Sequence, residues 1–220
     1  MSIKLFAAAA ALAFSSAFAE PQAWNLDKVH SSITFKVSHM VVGKTVGKFD
    51  KYDMTINWDE KKVQNSSVNV TIDASSVNTG DPKRDEHLRG ADFFDVAKFP
   101  TITFTSTKIT PKGKNQALVQ GKLTMRGVTK DASFVFSGKG PIKNPYADAR
   151  KGGAAASFVV NRKDYGIVYN SVLEAGGLAI GEEVNVDVEI EADQPIVASP
   201  EASPAATEKP AAGKGKAKSK

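Results

Sequence analysis

Ser32-Ile33-Thr34-Phe35-Lys36-Val37-Ser38 carries an apolar side chain at every second position, with Ile33, Phe35 and Val37 on one parity and Ser32, Thr34, Lys36 and Ser38 on the other. Successive side chains of an extended strand point to opposite faces, so this is a strand with one buried face. The pattern recurs along the chain. Met54, Ile56 and Trp58 alternate with Thr55 and Asn57; Val68, Val70 and Ile72 with Asn69 and Thr71; Ile102 and Phe104 with Thr101, Thr103 and Thr105. Val119, Leu123 and Met125 share a parity, as do Phe134 and Phe136, then Phe158 and Val160, then Val184, Val186, Val188 and Ile190. About eight strands result, the number at which a closed barrel can just hold a small ligand. Glycine-rich joints at Gly43, Gly47, Gly113, Gly138 with Gly140, Gly152 with Gly153, and Gly176 with Gly177 suit hairpins rather than crossover helices. The fold class is all-β: a single antiparallel up-and-down barrel.

One segment departs from this period. In Asp81-Pro82-Lys83-Arg84-Asp85-Glu86-His87-Leu88-Arg89-Gly90, Asp81 can cap free N–H groups, Pro82 suits the first helical position and Gly90 the position past the end. A short helix is predicted. Ala91 to Val96 reads as a further turn or two of helix, whose adjacent Phe93 and Phe94 need apolar cover; a lid over one barrel mouth provides it.

The chain ends read differently from the body. Lys4, the apolar run Leu5 to Phe14 and the small-x-small site Ala17-Phe18-Ala19 form a secretory signal over residues 1–19, placing the mature chain in the periplasm or outside the cell. No apolar stretch approaches the roughly 20 residues of a membrane-spanning helix. There is no cysteine, which excludes disulfides, thiolate metal sites and Cys nucleophiles. Residues 20–192 make one domain of ordinary length; residues 193–220, rich in Ala, Pro, Ser and Lys, read as a disordered tail. Of the formal charge of +5, Lys4 contributes one unit and the tail two, so the body carries only +2 and gives no reason to expect nucleic acid.

Chemistry-bearing motifs are few. His30, His39 and His87 lack the short spacing of a metal-ligand pair, so no metal is expected. Ser31, Ser32 and Ser38 lie near histidines, but no small-x-Ser-x-small elbow surrounds them. No glycine-rich phosphate loop precedes a helix.

Seven stretches, in order, resemble the polyisoprenoid-binding YceI family: WNLDKVHSSITFKVSH (24–39), VGKF (46–49), DASSVNTG (73–80), RDEHLRGADFFD (84–95), KFPTITFTST (98–107), GKLTMRGVT (121–129) and RKDYG (162–166). The resemblance implies a lipocalin-like barrel, no enzymatic activity and no cofactor, with an interior that takes an extended isoprenoid chain such as a quinone tail or polyprenyl phosphate. On that reading Ile33, Phe35, Val37, Met54, Ile56, Val70, Ile102, Phe104, Leu123, Phe134, Phe136, Phe158 and Val160 face the ligand, and Phe94 covers it from the lid. The alternative is that they pack a solid core, since alternation reports a buried face and not what covers it. His39 shares the inward parity and either meets a polar head group or is a structural histidine. Arg84, His87 and Arg89 on the lid, with Arg126 and Arg162 near strand ends, can offer donors to a phosphate or quinone oxygen; alternatively Arg84 and Asp85 form ion pairs that lock the lid to the rim. The expected partners are the lipid itself and, through the basic tail, an anionic membrane surface. The rival functions are a stress protein that binds a fatty-acid derivative and a small barrel enzyme acting on an apolar substrate.

Overall fold

The computed structural model describes residues 21–173 and 176–196. The predicted secretory signal (1–19) and residues 197–220 of the predicted tail (193–220) lie outside them. Eleven strands follow in order: β1 (Gln22–Leu26), β2 (Ser32–His39), β3 (Gly43–Phe49), β4 (Tyr52–Trp58), β5 (Ser67–Asp73), β6 (Val77–Asn78), β7 (Thr101–Gly113), β8 (Gln116–Met125), β9 (Val128–Lys143), β10 (Ala149–Asn161) and β11 (Ile180–Pro195). They make eight staves, because three staves are broken. Strand β11 pairs antiparallel with β2 along its first part and with β1 at Asn25↔Asp193 and Leu26↔Ala192, so β1 and β2 are two halves of one stave. Strands β3 and β4 form the next stave, pairing with β2 and β1. Strands β5 and β6 form the third, pairing with β4 and β3. From there β7 to β11 run up and down and close the ring on the first stave. Closure leaves few strand edges and puts one residue parity of every stave inside.

All eight alternating segments are strands. The glycines divide between strand ends, as at Gly43 and Gly113, and strand interiors. Gly47 lies within β3, where the Phe35 ring covers it: a Cβ there would fall 2.3 Å from that ring. The β3 strand has few apolar residues, which is why it carries little alternation signal. Gly138, Gly140, Gly152 and Gly153 also lie within strands rather than at joints. The β8–β9 hairpin instead turns on Arg126-Gly127, both at positive φ, as a two-residue turn matched to strand twist requires.

Helix α1 (Pro82–Arg89) has the expected ends. The Asp81 side chain accepts from the Lys83 and Arg84 backbone N–H groups, Pro82 stands in the first turn and Gly90 ends it. The predicted helical continuation over 91–96 is absent. The chain there folds back in turns, with the N–H groups of Phe94 and Val96 donating to the Leu88 and Arg89 carbonyls, and Asp95 at positive φ. At its other end the body extends beyond residue 192. Strand β11 continues to Pro195, and the buried Gln194 bonds Arg150 and Gln22 through its side-chain amide. Polar bonding rather than apolar burial holds the strand's last three residues, so composition carries no sign of them.

Candidate functional site: a blind apolar cavity beneath the lid

Register decides what lies at each level of the barrel. At the end away from α1 the interior is solid. Trp24, Ile109, Ala117 and Val119 are buried there, and the Trp58 ring packs against Phe136 with centroids 5.3 Å apart. This plug contains Ile56, which packs in the core cluster and does not line the cavity, contrary to expectation; parity is the same at every level, so sequence could not separate it from the residues above.

Above Phe136 the side chains no longer meet across the barrel. They enclose a cavity of about 470 Å³ that reaches up to the lid, within the roughly 300–1,000 Å³ range of small-molecule sites. Its wall includes Ile33, Phe35 and Val37 of β2, Met54, Val70, Ile102, Phe104, Leu123, Phe134, Phe136, Phe158 and Val160, with Phe94 from beyond α1. The rings of Phe104, Phe134 and Phe158 form a continuous aromatic wall, the last two stacked at 4.8 Å. The inward parity of β11, Val184 to Ile190, also lines the cavity, and the alternation already noted there could have placed it. Ala132, Ala154 and Ala156 carried no signal, since alanine alone marks no face. Neither did Tyr169, which lies outside any strand.

Most polar residues on the wall gather at the lid end: Ser38, His39 and Thr45 on the β2–β3 hairpin, Arg84 and His87 on α1, and Arg162, Tyr169 and Ser171 on the segment before β11; Thr34, further down β2, donates its hydroxyl to the Asp187 carbonyl. Most are engaged in holding that end together. His87 Nε2 lies 3.0 Å from an Asp92 oxygen, and its ring stands edge-on to Phe93 and Tyr169 at 4.9 and 5.0 Å. This aromatic trio joins the helix to the loop across the mouth. Arg84 donates to the Thr79 hydroxyl and carbonyl at 2.7 and 3.0 Å, while the buried Asp85 accepts from the Thr79 N–H and hydroxyl at 2.8 and 2.6 Å. Arg84 and Asp85 thus both bond one threonine, and neither forms the expected ion pair among the described residues.

The other arginines near the lid, Arg89, Arg126 and Arg162, serve the backbone. Arg89 donates to the carbonyls of Ser75 and Val77, and Arg126 to those of Gly166 and Ala91. Arg162 is buried, and burial holds its guanidinium below its ordinary value. It donates to the carbonyls of Ile167, Ile180 and Gly181 at 2.7, 3.2 and 2.8 Å. Two of these belong to the start of β11, where the ladder with β2 slips between Ile180 and Val184 and leaves carbonyls to be satisfied. The His39 ring, by contrast, is exposed at the mouth and makes no hydrogen bond to any described residue.

The histidines do not converge. His30, between β1 and β2, lies with Asp27 and Glu191, their ligand atoms within 4.8 Å of one another. The Lys151 ammonium already occupies the centre of this cluster, 2.7 Å from Asp27, 3.4 Å from Glu191 and 3.3 Å from Asp193. Hydrogen bonds from Lys151 and His30 hold the Asp27 carboxyl well below the usual carboxylate range, and Asp27 raises Lys151 well above its ordinary value.

A closed eight-stave antiparallel barrel with a deep apolar cavity, plugged at one end and lidded at the other, is a lipocalin-like barrel. The chain belongs to the YceI-like family, whose domain it matches over residues 24–192. A UPF0312 protein of Staphylococcus aureus is 33% identical over 168 residues, which is 76% of this chain and 95% of that protein. Among solved structures, a Campylobacter jejuni YceI protein superposes with a TM-score of 0.62 at 29% identity, over 77% of this chain and 96% of its own. BcnA of Burkholderia cenocepacia gives 0.68 at 23% identity over 76% and 99%. A polyisoprenoid binding domain from Saccharophagus degradans gives 0.54 at 20% over 79% and 99%. The last two share the fold.

Proposed function

We propose that the protein binds a long-chain isoprenoid lipid inside the barrel, tail inward and polar head at the lid, and carries or sequesters it outside the cytoplasm without chemically altering it. The observation that carries this reading is the blind, ring-lined cavity most of whose polar residues lie at one end. An apolar chain leaving water for such a tube gains roughly 0.8 kcal/mol per buried CH₂ before ordering costs, or about 4 kcal/mol for each five-carbon isoprene unit. Two further points support it: a neighbour of the same fold is a polyisoprenoid binding domain, and most lid-end polar groups are spent on holding the lid rather than arranged about a nucleophile. His39 is the free side chain best placed to meet a quinone or phosphate oxygen.

The export signal at residues 1–19 and the lysine-rich end of the tail extend the proposal. A mature chain beginning at Glu20 would meet its lipid in the periplasm or beyond. Lysines near an anionic bilayer are each worth about 1 kcal/mol, enough for several to keep a carrier at its source.

Mass spectrometry of an organic extract of the purified full chain tests the function. An isoprenoid near one molecule per protein is expected. A fatty-acid derivative in its place would select the rival ligand class, and an extract with no lipid, from protein that also fails to take up added prenols, would overturn the reading.

A further inference from the structure

We infer that the floor of the cavity, Phe136 backed by Trp58, acts with Ala154 and Ala156 of β10 as a ruler, so that the protein selects its lipid by chain length; this rests on the lipid-binding reading above. The ruler needs a fixed zero and a fixed stop. Gathering most of the polar wall residues at the lid, with the Thr34 hydroxyl lower down already bonded to a backbone carbonyl, gives the head one position. The stop is the plug, where the Trp58 and Phe136 rings meet at 5.3 Å and the residues around them are closely packed: Ile109, Ala117 and Val119 are only 2%, 1% and 3% exposed. A close-packed interior has no spare volume for another carbon.

Strand β10 forms the graduated wall. Descending from the lid, it presents Phe158, then Ala156, then Ala154 to the cavity. Ala156 stands directly opposite Phe136 on β9 and Val188 on β11. The methyls at these two positions keep the deep end open beside the Phe136 ring. One step lower the space is gone, because a Cβ at Gly152 would already lie 3.0 Å from the Trp24 ring. A chain that is too long must leave its last carbons, or push its head, out of the mouth. One that is too short leaves the deep wall without contacts. Occupancy therefore peaks at one length.

The test offers delipidated full-length protein an equimolar ladder of linear prenols differing by one isoprene unit, and quantifies the bound species by mass spectrometry. The wild type should show a single maximum. Ala156→Leu, which fills the deep end, should move the maximum about one unit shorter, with roughly tenfold loss of the wild-type optimum. Phe136→Ala, which lowers the floor, should move it longer. Ala154→Val is the milder counterpart should Ala156→Leu fail to fold, and a melting curve on each variant establishes folding. Wild-type protein that binds no prenol refutes the lipid-binding reading itself. Wild type and folded variants that bind prenols with the same length profile leave that reading intact and refute the ruler.

Discussion

The same substitution made at two levels of the barrel separates cavity from plug. Val37 of β2 lines the cavity and is half-buried, whereas Val119 of β8 is 3% exposed and lies in the solid end. Val119→Phe forces a ring into a close-packed core and should cost about 1–3 kcal/mol. For a domain of this size that is a fall of about 2–12 °C in melting temperature. Val37→Phe places the same ring in about 470 Å³ of open space and should change ligand-free stability by less than about 1 kcal/mol. Its effect falls on the ligand. The ring adds about four carbons to the site, and displacing as many lipid carbons at roughly 0.8 kcal/mol each loses about 3 kcal/mol, some hundredfold in affinity. The assay is a pair of melting curves on delipidated and prenol-loaded protein, with bound prenol quantified. A delipidated Val37→Phe that melts as low as Val119→Phe, or a Val37→Phe that retains prenol as the wild type does, would refute the division of the barrel into cavity and plug.

Acid should loosen the closing seam, because the Asp27 contribution is present above the ordinary carboxyl value of 3.8 and is lost as pH falls through its lowered folded-state value. The Lys151 contribution is present below 10.5 and is lost only as pH rises through its raised value. Lys151→Met should therefore cost about 1–2 kcal/mol at neutral pH and flatten the acid limb of the stability profile; urea melts from pH 2 to 7 that superimpose for both proteins would contradict this. Arg162→Met withdraws donors from three backbone carbonyls and should cost about 2–4 kcal/mol by denaturant midpoint, and a loss under about 1 kcal/mol would show those carbonyls find other partners. Truncation after Ile196 should leave melting temperature and prenol binding unchanged while removing salt-sensitive association with anionic vesicles. Truncation after Ala192 should lower the melting temperature, since it removes the Gln194 bonds to Arg150 and Gln22; equal melting of the two truncations would argue against the longer body.

The eight staves, the inward parity and the capped lid helix were legible in sequence because each rests on local rules: side chains alternate on a strand, and Asp-Pro with a later Gly brackets a short helix. Parity placed Phe35, Phe104 and Phe158 inside correctly. It gave Ile56 the same status, and only tertiary structure put Ile56 in the plug and Phe136 at the floor. The reason is that alternation names the face a side chain occupies but not its level along the barrel axis, which depends on register between strands far apart in sequence. Whether facing side chains meet or leave a space depends on that level. The lid shows the same division. Arginine and aspartate side by side suggested an ion pair, yet Arg84 and Asp85 both turn to Thr79, and Arg162 serves carbonyls left over by a slipped ladder. Sequence supplies the donors; which acceptors are left without partners is decided only when the staves close.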